Sequence, residues 1–237
     1  MIEAIFFDFN GVIIDDERLQ LQAYQQVLQE QNLQLTEEHY FSSLGMDDRS
    51  FVRAVFQQAE KKLTDETLWR LLAEKAVCHR KLIADELPLC PGVVTFLKAM
   101  SRRYSLGVVS MAGLEEIRYV LERARLGPLF KVIVSAEDVD VCKPAPQCYR
   151  KALEKLNLKR RTERLLPLLS RECLVIEDSP PGIYSGREAG MRTLGITITV
   201  SEQQLRRAGA EVVTASLADW TVEAVSLVFD DRSTKPH

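Results

Sequence analysis

The chain opens on an apolar run, Met1-Ile2-Glu3-Ala4-Ile5-Phe6-Phe7, that stops at the carboxylate of Asp8. A β-rich run of this kind predicts a strand buried on both faces, as in a parallel sheet. Asn10-Gly11 then breaks it as a turn. From residue 15 to residue 88 the pattern is different. Leu19, Ala23, Tyr24, Val27 and Leu28 recur at helical spacing, as do Phe51, Val52, Val55, Phe56 and Ala59, and then Leu68, Leu71, Leu72 and Ala76. Thr36 and Thr64, each followed by acidic residues, stand where N-caps stand. Nothing in this stretch reads as a strand, so it predicts a module of about four helices ending near Leu87-Pro88.

After Pro91-Gly92 strands and helices alternate. A helix is predicted over Val93–Met100, and strands over Ser105–Ser110, Lys131–Ser135, Cys173–Glu177 and Arg192–Ile196. Helices fall between them near 114–125, 145–156 and 180–189. Glu211–Val213 reads as a further short strand and 220–229 as a last helix. This alternation means a parallel sheet covered on both faces. The expected fold is therefore α/β: a Rossmann-like three-layer core from residues 1–14 and 89–237, with an α-helical, four-helix-like cap inserted as residues 15–88.

Composition agrees with this and narrows the function. With 237 residues, 46% of them apolar and 27% charged, the chain is neither disordered nor collagen-like. No apolar stretch approaches the roughly 20 residues of a membrane span, and the N-terminus does not read as a signal peptide. The net charge of −3 leaves no basic face for nucleic acid. Residues 1–60 hold 11 acidic against 3 basic residues, a balance of −8, so the remainder carries +5. The basic run Lys159-Arg160-Arg161 reads as a solvated loop face. Five cysteines with no Cys-x-x-Cys pair read as free thiols, which places the chain in the reducing cytoplasm. His39, His79 and His237 are too scattered for a metal site and read as surface or packing residues.

In an open α/β sheet the ligand sits beyond the carboxyl ends of the strands. Here those ends are Asp8, Ser110 and Glu177-Asp178, and Lys143 follows the third strand by a short loop. Three carboxylates at close range repel one another, which a divalent cation relieves, and oxygen donors of this kind suit Mg²⁺. With Lys143 beside them they form a phosphate site in which a carboxylate can attack phosphorus.

These positions carry a resemblance. Asp8-Phe9-Asn10-Gly11-Val12, Ser110, Lys143 within Cys142-Lys143-Pro144-Ala145-Pro146, and Glu177-Asp178-Ser179-Pro180-Pro181-Gly182-Ile183 together resemble the four motifs of the haloacid dehalogenase superfamily. The branch resembled is that of Mg²⁺-dependent phosphatases and β-phosphoglucomutases with a helical cap between the first two motifs. The resemblance spans nearly the whole chain. It implies that Asp8 is the nucleophile and that Mg²⁺ is held by Asp8, the backbone carbonyl of Asn10 and Asp178, with Glu177 ligating directly or through water. It further implies that Ser110, Lys143 and the amides near Met111-Ala112 bind the phosphoryl group.

One residue departs from the pattern. Where the family has a second aspartate that protonates the leaving group and deprotonates water, this chain has Asn10. Asn10 leaves three readings open. It is native, with Asp15, Asp16 or Glu17 partly replacing the acid; or it is an engineered trap; or it marks a catalytically quiet phosphate-binding protein. A dehalogenase is disfavoured by Glu177-Asp178. A phosphonatase is disfavoured because the nearest cap lysines, Lys61 and Lys62, lie in a polar, acidic stretch. A mutase is disfavoured because Asp16 and Gln20 replace its Thr and His, and its cap-loop lysine is missing from Leu44-Gly45-Met46-Asp47-Asp48-Arg49. Met46, Asp48 and Arg49 are the candidate specificity residues, and Trp69 and Trp220 read as packing residues. Gly11 and Gly182 read as backbone-geometry positions. The expected protein is a cytoplasmic phosphatase of a small phosphorylated metabolite, a monomer or weak homodimer, with no nucleic-acid or membrane partner. Phosphomutase and non-catalytic phosphate binder are the alternatives.

Overall fold

The computed structural model describes residues 1–230, which leaves His237 outside the described residues. Strand β1, Ala4–Phe7, is buried along its whole length. Its side chains alternate between two cores. Ile5 and Phe7 pack with Phe96, Leu97 and Ile117, and Ala4 and Phe6 with Val109, Tyr149 and Val175. A strand covered on both faces is under no pressure to alternate, which explains its continuous apolar run. Phe7→Ala would cost about 3–5 kcal/mol at such a site.

Five further strands join β1: β2 (Ser105–Val109), β3 (Phe130–Val134), β4 (Cys173–Glu177), β5 (Arg192–Ile196) and β6 (Val212–Thr214). All pair in parallel, in the order β3-β2-β1-β4-β5-β6. Phe7 lies level with Val108 on one side and Ile176 on the other, so the ends of β1, β2 and β4 are flush. The chain runs outward from β1 through β2 to β3 and returns to the far side of β1 as β4. The crevice where the order reverses is where such sheets bind ligands. Helices α5 (Val93–Met100), α6 (Leu114–Arg123) and α10 (Val222–Phe229) cover one face. Helix α7 (Gln147–Thr162) covers the other, with α8 (Pro180–Glu188) and α9 (Glu202–Arg207) following it.

Helices α1 (Glu17–Gln29), α2 (Glu37–Ser42), α3 (Asp48–Gln58) and α4 (Asp65–Leu82) fall between β1 and α5. Thr36 and Thr64 cap α2 and α4 through the amides of His39 and Thr67. These helices bury a core of their own around Tyr24, Leu28, Phe51, Val52, Leu68 and Leu71. The Tyr24 and Phe51 rings meet edge-on at 4.5 Å. The chain enters and leaves this region along neighbouring paths, with the Asp15 amide donating to the Pro88 carbonyl at 2.7 Å.

Four readings of the sequence need correction. The apolar stripe of α4 was expected through Ala76, but Ala76 is exposed and the buried stripe runs Leu68, Leu71, Lys75, Cys78 and His79. Trp69 lies on the outer side of that helix, 57% exposed, and is not a packing residue. Lys159-Arg160-Arg161 is the last turn of α7, where basic side chains complement the helix dipole, and not a loop. Helix α9 was not expected, because its six residues are too few to show a period. Trp220 does pack, stacked on Phe229, and all five cysteines are free thiols. Among the described residues no helix is long and apolar enough to cross a membrane.

Candidate active site

Asp8 is the first residue past β1, held by its own amide, which donates to the Ile176 carbonyl at 2.9 Å. The Phe9 amide donates to Asp8 Oδ1 at 2.7 Å, fixing the carboxylate at the mouth of the crevice. Lys143 reaches across from the loop after β3. Its buried ammonium lies 3.0 Å from Asp8 Oδ1 and 2.6 Å from Glu177 Oε1, and donates to the Val109 carbonyl at 3.2 Å. Glu177 also accepts from Tyr149 Oη at 2.8 Å and from Ser179 Oγ at 3.1 Å. Both of its oxygens are therefore engaged. Two glycines make room for these acids. A Cβ on Gly182 would stand 1.9 Å from the Glu177 carboxyl carbon, and one on Gly11, whose φ is +70°, would stand 1.8 Å from Asp178 Oδ2.

The electrostatics of this corner are those of a site short of positive charge. Asp8, Glu177 and Asp178 bring carboxylate oxygens within 4.8 Å of one another. Burial, and then Glu177, push Asp8 up to about 7 against the pull of Lys143. Burial, and then Asp8 and Glu177, hold Asp178 well above the carboxylate range. Burial alone would lower Lys143, but Asp8 and Glu177 outweigh it and hold the ammonium above its ordinary value. Asp178 Oδ2 is buried with no hydrogen-bond partner among the described residues. An orphaned buried carboxylate oxygen beside two further carboxylates fits a hard divalent cation. Ser110, buried at the end of β2, accepts from the Ala112 amide at 3.0 Å. Ser110, Met111 and Ala112 line the same cavity as Asp8, Asn10, Lys143 and Asp178.

Asn10 is the point where an acid is missing. Its Nδ2 donates to Asp16 Oδ1 at 2.9 Å. Asp16 is fully buried, accepts from Gln20 Nε2 at 3.1 Å and lies 2.8 Å from His79 Nε2. The other ring nitrogen of His79 lies 3.7 Å from Glu116. Of the three acids that could stand in for the missing one, Asp15 is exposed and Asp16 is committed to these partners. Glu17 lines the cavity and accepts from Tyr40 Oη at 2.6 Å. Burial, and then Asp16, push its carboxyl up to about 8.

The candidate specificity residues divide. Met46 and Asp48 line the cavity, but Arg49 does not; its guanidinium pairs with Asp47 at 3.4 Å in a half-exposed position. The charged wall of the cavity is instead Lys75 with Glu116, neither of them singled out in the sequence. Lys75 is 2% exposed, 3.0 Å from Asp48 and 3.4 Å from Glu116, and its ammonium lies 5.0 Å from the centre of the Tyr24 ring. These partners more than offset burial and hold it protonated. Lys75 and His79 stand one turn apart on α4, on the same face as Leu68 and Leu71. Two polar residues continuing an apolar stripe were the available signal for both.

A family model described as haloacid dehalogenase-like hydrolase matches residues 5–196, and the chain belongs to that family of enzymes. Among its relatives is a phosphorylated carbohydrates phosphatase of Thermotoga maritima, 27% identical over 212 residues, which are 88% of this chain and 92% of that one. The pyrophosphatase PpaX of Anoxybacillus flavithermus is 24% identical over 204 residues, 86% and 87% of the two chains. Among solved structures, β-phosphoglucomutase from Clostridium difficile superposes with a TM-score of 0.84 at 22% identity, covering 97% of this chain and 98% of that one.

Proposed function

We propose that this protein is a Mg²⁺-dependent phosphatase acting on a small phosphorylated metabolite through an aspartyl phosphate at Asp8. The observation that carries this reading is the convergence of Asp8, Asp178, Glu177 and Lys143 at the point where the strand order reverses. The names of the relatives support it, as does the orphaned oxygen of Asp178.

Asp8, the backbone carbonyl of Asn10 and Asp178 would hold the ion. Glu177, already bonded to Lys143, Tyr149 and Ser179, would act through water. When bound, Mg²⁺ neutralises the carboxylates and draws charge from the phosphoryl oxygens. The chain's own groups do the rest. An Asp8 oxygen attacks phosphorus, forming an O–P bond as the ester P–O bond breaks. Lys143 and Ser110 hold the transferring phosphoryl oxygens. The departing alkoxide takes a proton from Glu17, which lines the cavity, would not be taken up by the ion, and is raised by burial and Asp16 so that it carries a proton at neutral pH. Water then attacks the aspartyl phosphate, passes its proton to the Glu17 carboxylate and releases phosphate. Asn10 contributes position only, since an amide has no proton to give at this pH. The cap helices that complete the cavity exclude bulk water from the acyl phosphate.

Phosphate release from a panel of phosphomonoesters, with and without Mg²⁺, tests this reading. Mg²⁺-dependent release supports it. Binding of tungstate with Mg²⁺ but no release from any member would instead identify a phosphate-binding protein. Interconversion of sugar phosphates without net release would identify a mutase.

A further inference from the structure

Beyond the phosphate corner, the cavity is lined by α1, α2, α3, α4 and α6 and the loop before α3, and its charged acceptors there are Asp48 and Glu116. Asp48 and Glu116 share the one ammonium there, Lys75, which is buried between them. Counting these three alone, the wall carries −1. Gln20 also lines the cavity, and its amide nitrogen is bound to Asp16 and Glu116. Its Oε1 is buried with no partner among the described residues.

We propose that the substrate is a phosphomonoester whose remaining part is uncharged and hydroxyl-bearing, and that Asp48 and Glu116 exclude a second anionic group by holding Lys75 between them. This rests on the phosphatase reading above. A second phosphate or a carboxylate would have to draw the buried ammonium of Lys75 away from both carboxylates, and leave the largely covered Glu116 and the one-third exposed Asp48 short of positive charge. It would also stand against Asp48 and Glu116, and like charges juxtaposed in a binding site cost several kcal/mol. A cationic head is disfavoured by the fixed ammonium of Lys75. A hydroxyl meets neither obstacle. It can donate to Gln20 Oε1, which lacks a donor, and to the free lone pairs of the two carboxylates.

The test is kcat/KM for phosphate release by the full chain with Mg²⁺ on three probes: acetyl phosphate, a hexose 6-phosphate and the matching 1,6-bisphosphate. The expected result is turnover of acetyl phosphate, and a preference for the hexose monophosphate over the bisphosphate of at least about tenfold. Glu116→Gln frees one partner of Lys75 and should narrow that preference at least about threefold; Asp48→Asn should do the same, and serves if the first variant does not fold. Turnover of acetyl phosphate with equal or better use of the bisphosphate overturns the proposal. So does turnover of acetyl phosphate with no hexose phosphate accepted, or a preference that neither folded variant changes. No release from acetyl phosphate refutes the phosphatase reading itself and takes this inference with it.

Discussion

Glu17→Gln separates proton donation from every other property of the cavity. The amide keeps an oxygen to accept from Tyr40 Oη, now at 2.6 Å from the carboxylate, so the local fold should survive. What disappears is the ionisable proton. A carboxyl at about 8 is roughly nine-tenths protonated at pH 7, and a positioned general acid contributes on the order of 10²–10⁴-fold, or roughly 3–5 kcal/mol of barrier. That contribution depends on the leaving group. An alkoxide needs the proton, whereas nitrophenolate leaves without one. Rapid-quench rates on glycerol phosphate and nitrophenyl phosphate should therefore fall unequally, by about 10² or more on the first and by no more than about threefold on the second. The pH profile gives a second reading. The acid form of Glu17 is lost as pH rises through about 8, so wild-type kcat/KM on the alkyl ester should decline above that pH and the variant should lack this limb. Because the Tyr40 bond lowers the Glu17 carboxyl, Tyr40→Phe should move the limb upward. Equal losses on both substrates, or a limb that survives in Glu17→Gln, would refute the assignment.

Three other outcomes follow. Asp178→Ala should abolish the stabilisation by Mg²⁺ expected of wild type, about 2.7 kcal/mol at a hundredfold excess over Kd, together with activity; an unchanged Mg²⁺ dependence of melting and rate would contradict its place at the ion. Asn10→Asp replaces an amide donor by a carboxylate against Asp16, so one of the two must hold a proton; melting should fall by the equivalent of about 1–3 kcal/mol while alkyl phosphate turnover stays within about threefold of wild type, because Glu17 already supplies the acid, and a large gain confined to alkyl phosphates would contradict that role of Glu17. Asn-Gly pairs deamidate when the glycine amide can attack the side chain, but the Gly11 amide donates to the Ile14 carbonyl at 2.7 Å and Asn10 is tied to Asp16, so peptide mapping of aged protein should find Asn10 intact, and an aspartate-bearing fraction would contradict that rigidity.

The sheet and the gathering of these side chains at one edge of it were legible in the sequence because β1, β2 and β4 each announced an end. Asp8, Ser110 and Glu177-Asp178 close apolar runs, and parallel pairing alone brings those ends together. The caps at Thr36 and Thr64 were legible because capping is local. The far wall was not, because it depends on how α4 turns about its axis. Reading the stripe as Leu72 and Ala76 put Lys75 and His79 on the outside, and one step of rotation turns them inward against Asp16 and Glu116. Arg49 was chosen by its position in a loop, yet the Asp47 cap of α3 holds it outward. The three acids that follow Asn10 could not be ranked from spacing, since only the packing of α1 decides that Glu17 faces the cavity while Asp15 faces solvent.

The account stands or falls on Asp8. Asp8→Asn removes the attacking oxygen but leaves Lys143 bound to Glu177 and relieves repulsion among the carboxylates, so the melting temperature should stay close to wild type or rise. Phosphate release in the presence of Mg²⁺ should fall by at least about a thousandfold, and no phosphorylated protein should be trapped by rapid acid quench, whereas wild type should show a labelled aspartyl phosphate on the peptide containing Asp8. A well-folded Asp8→Asn protein that still releases phosphate near the wild-type rate would contradict the central claim.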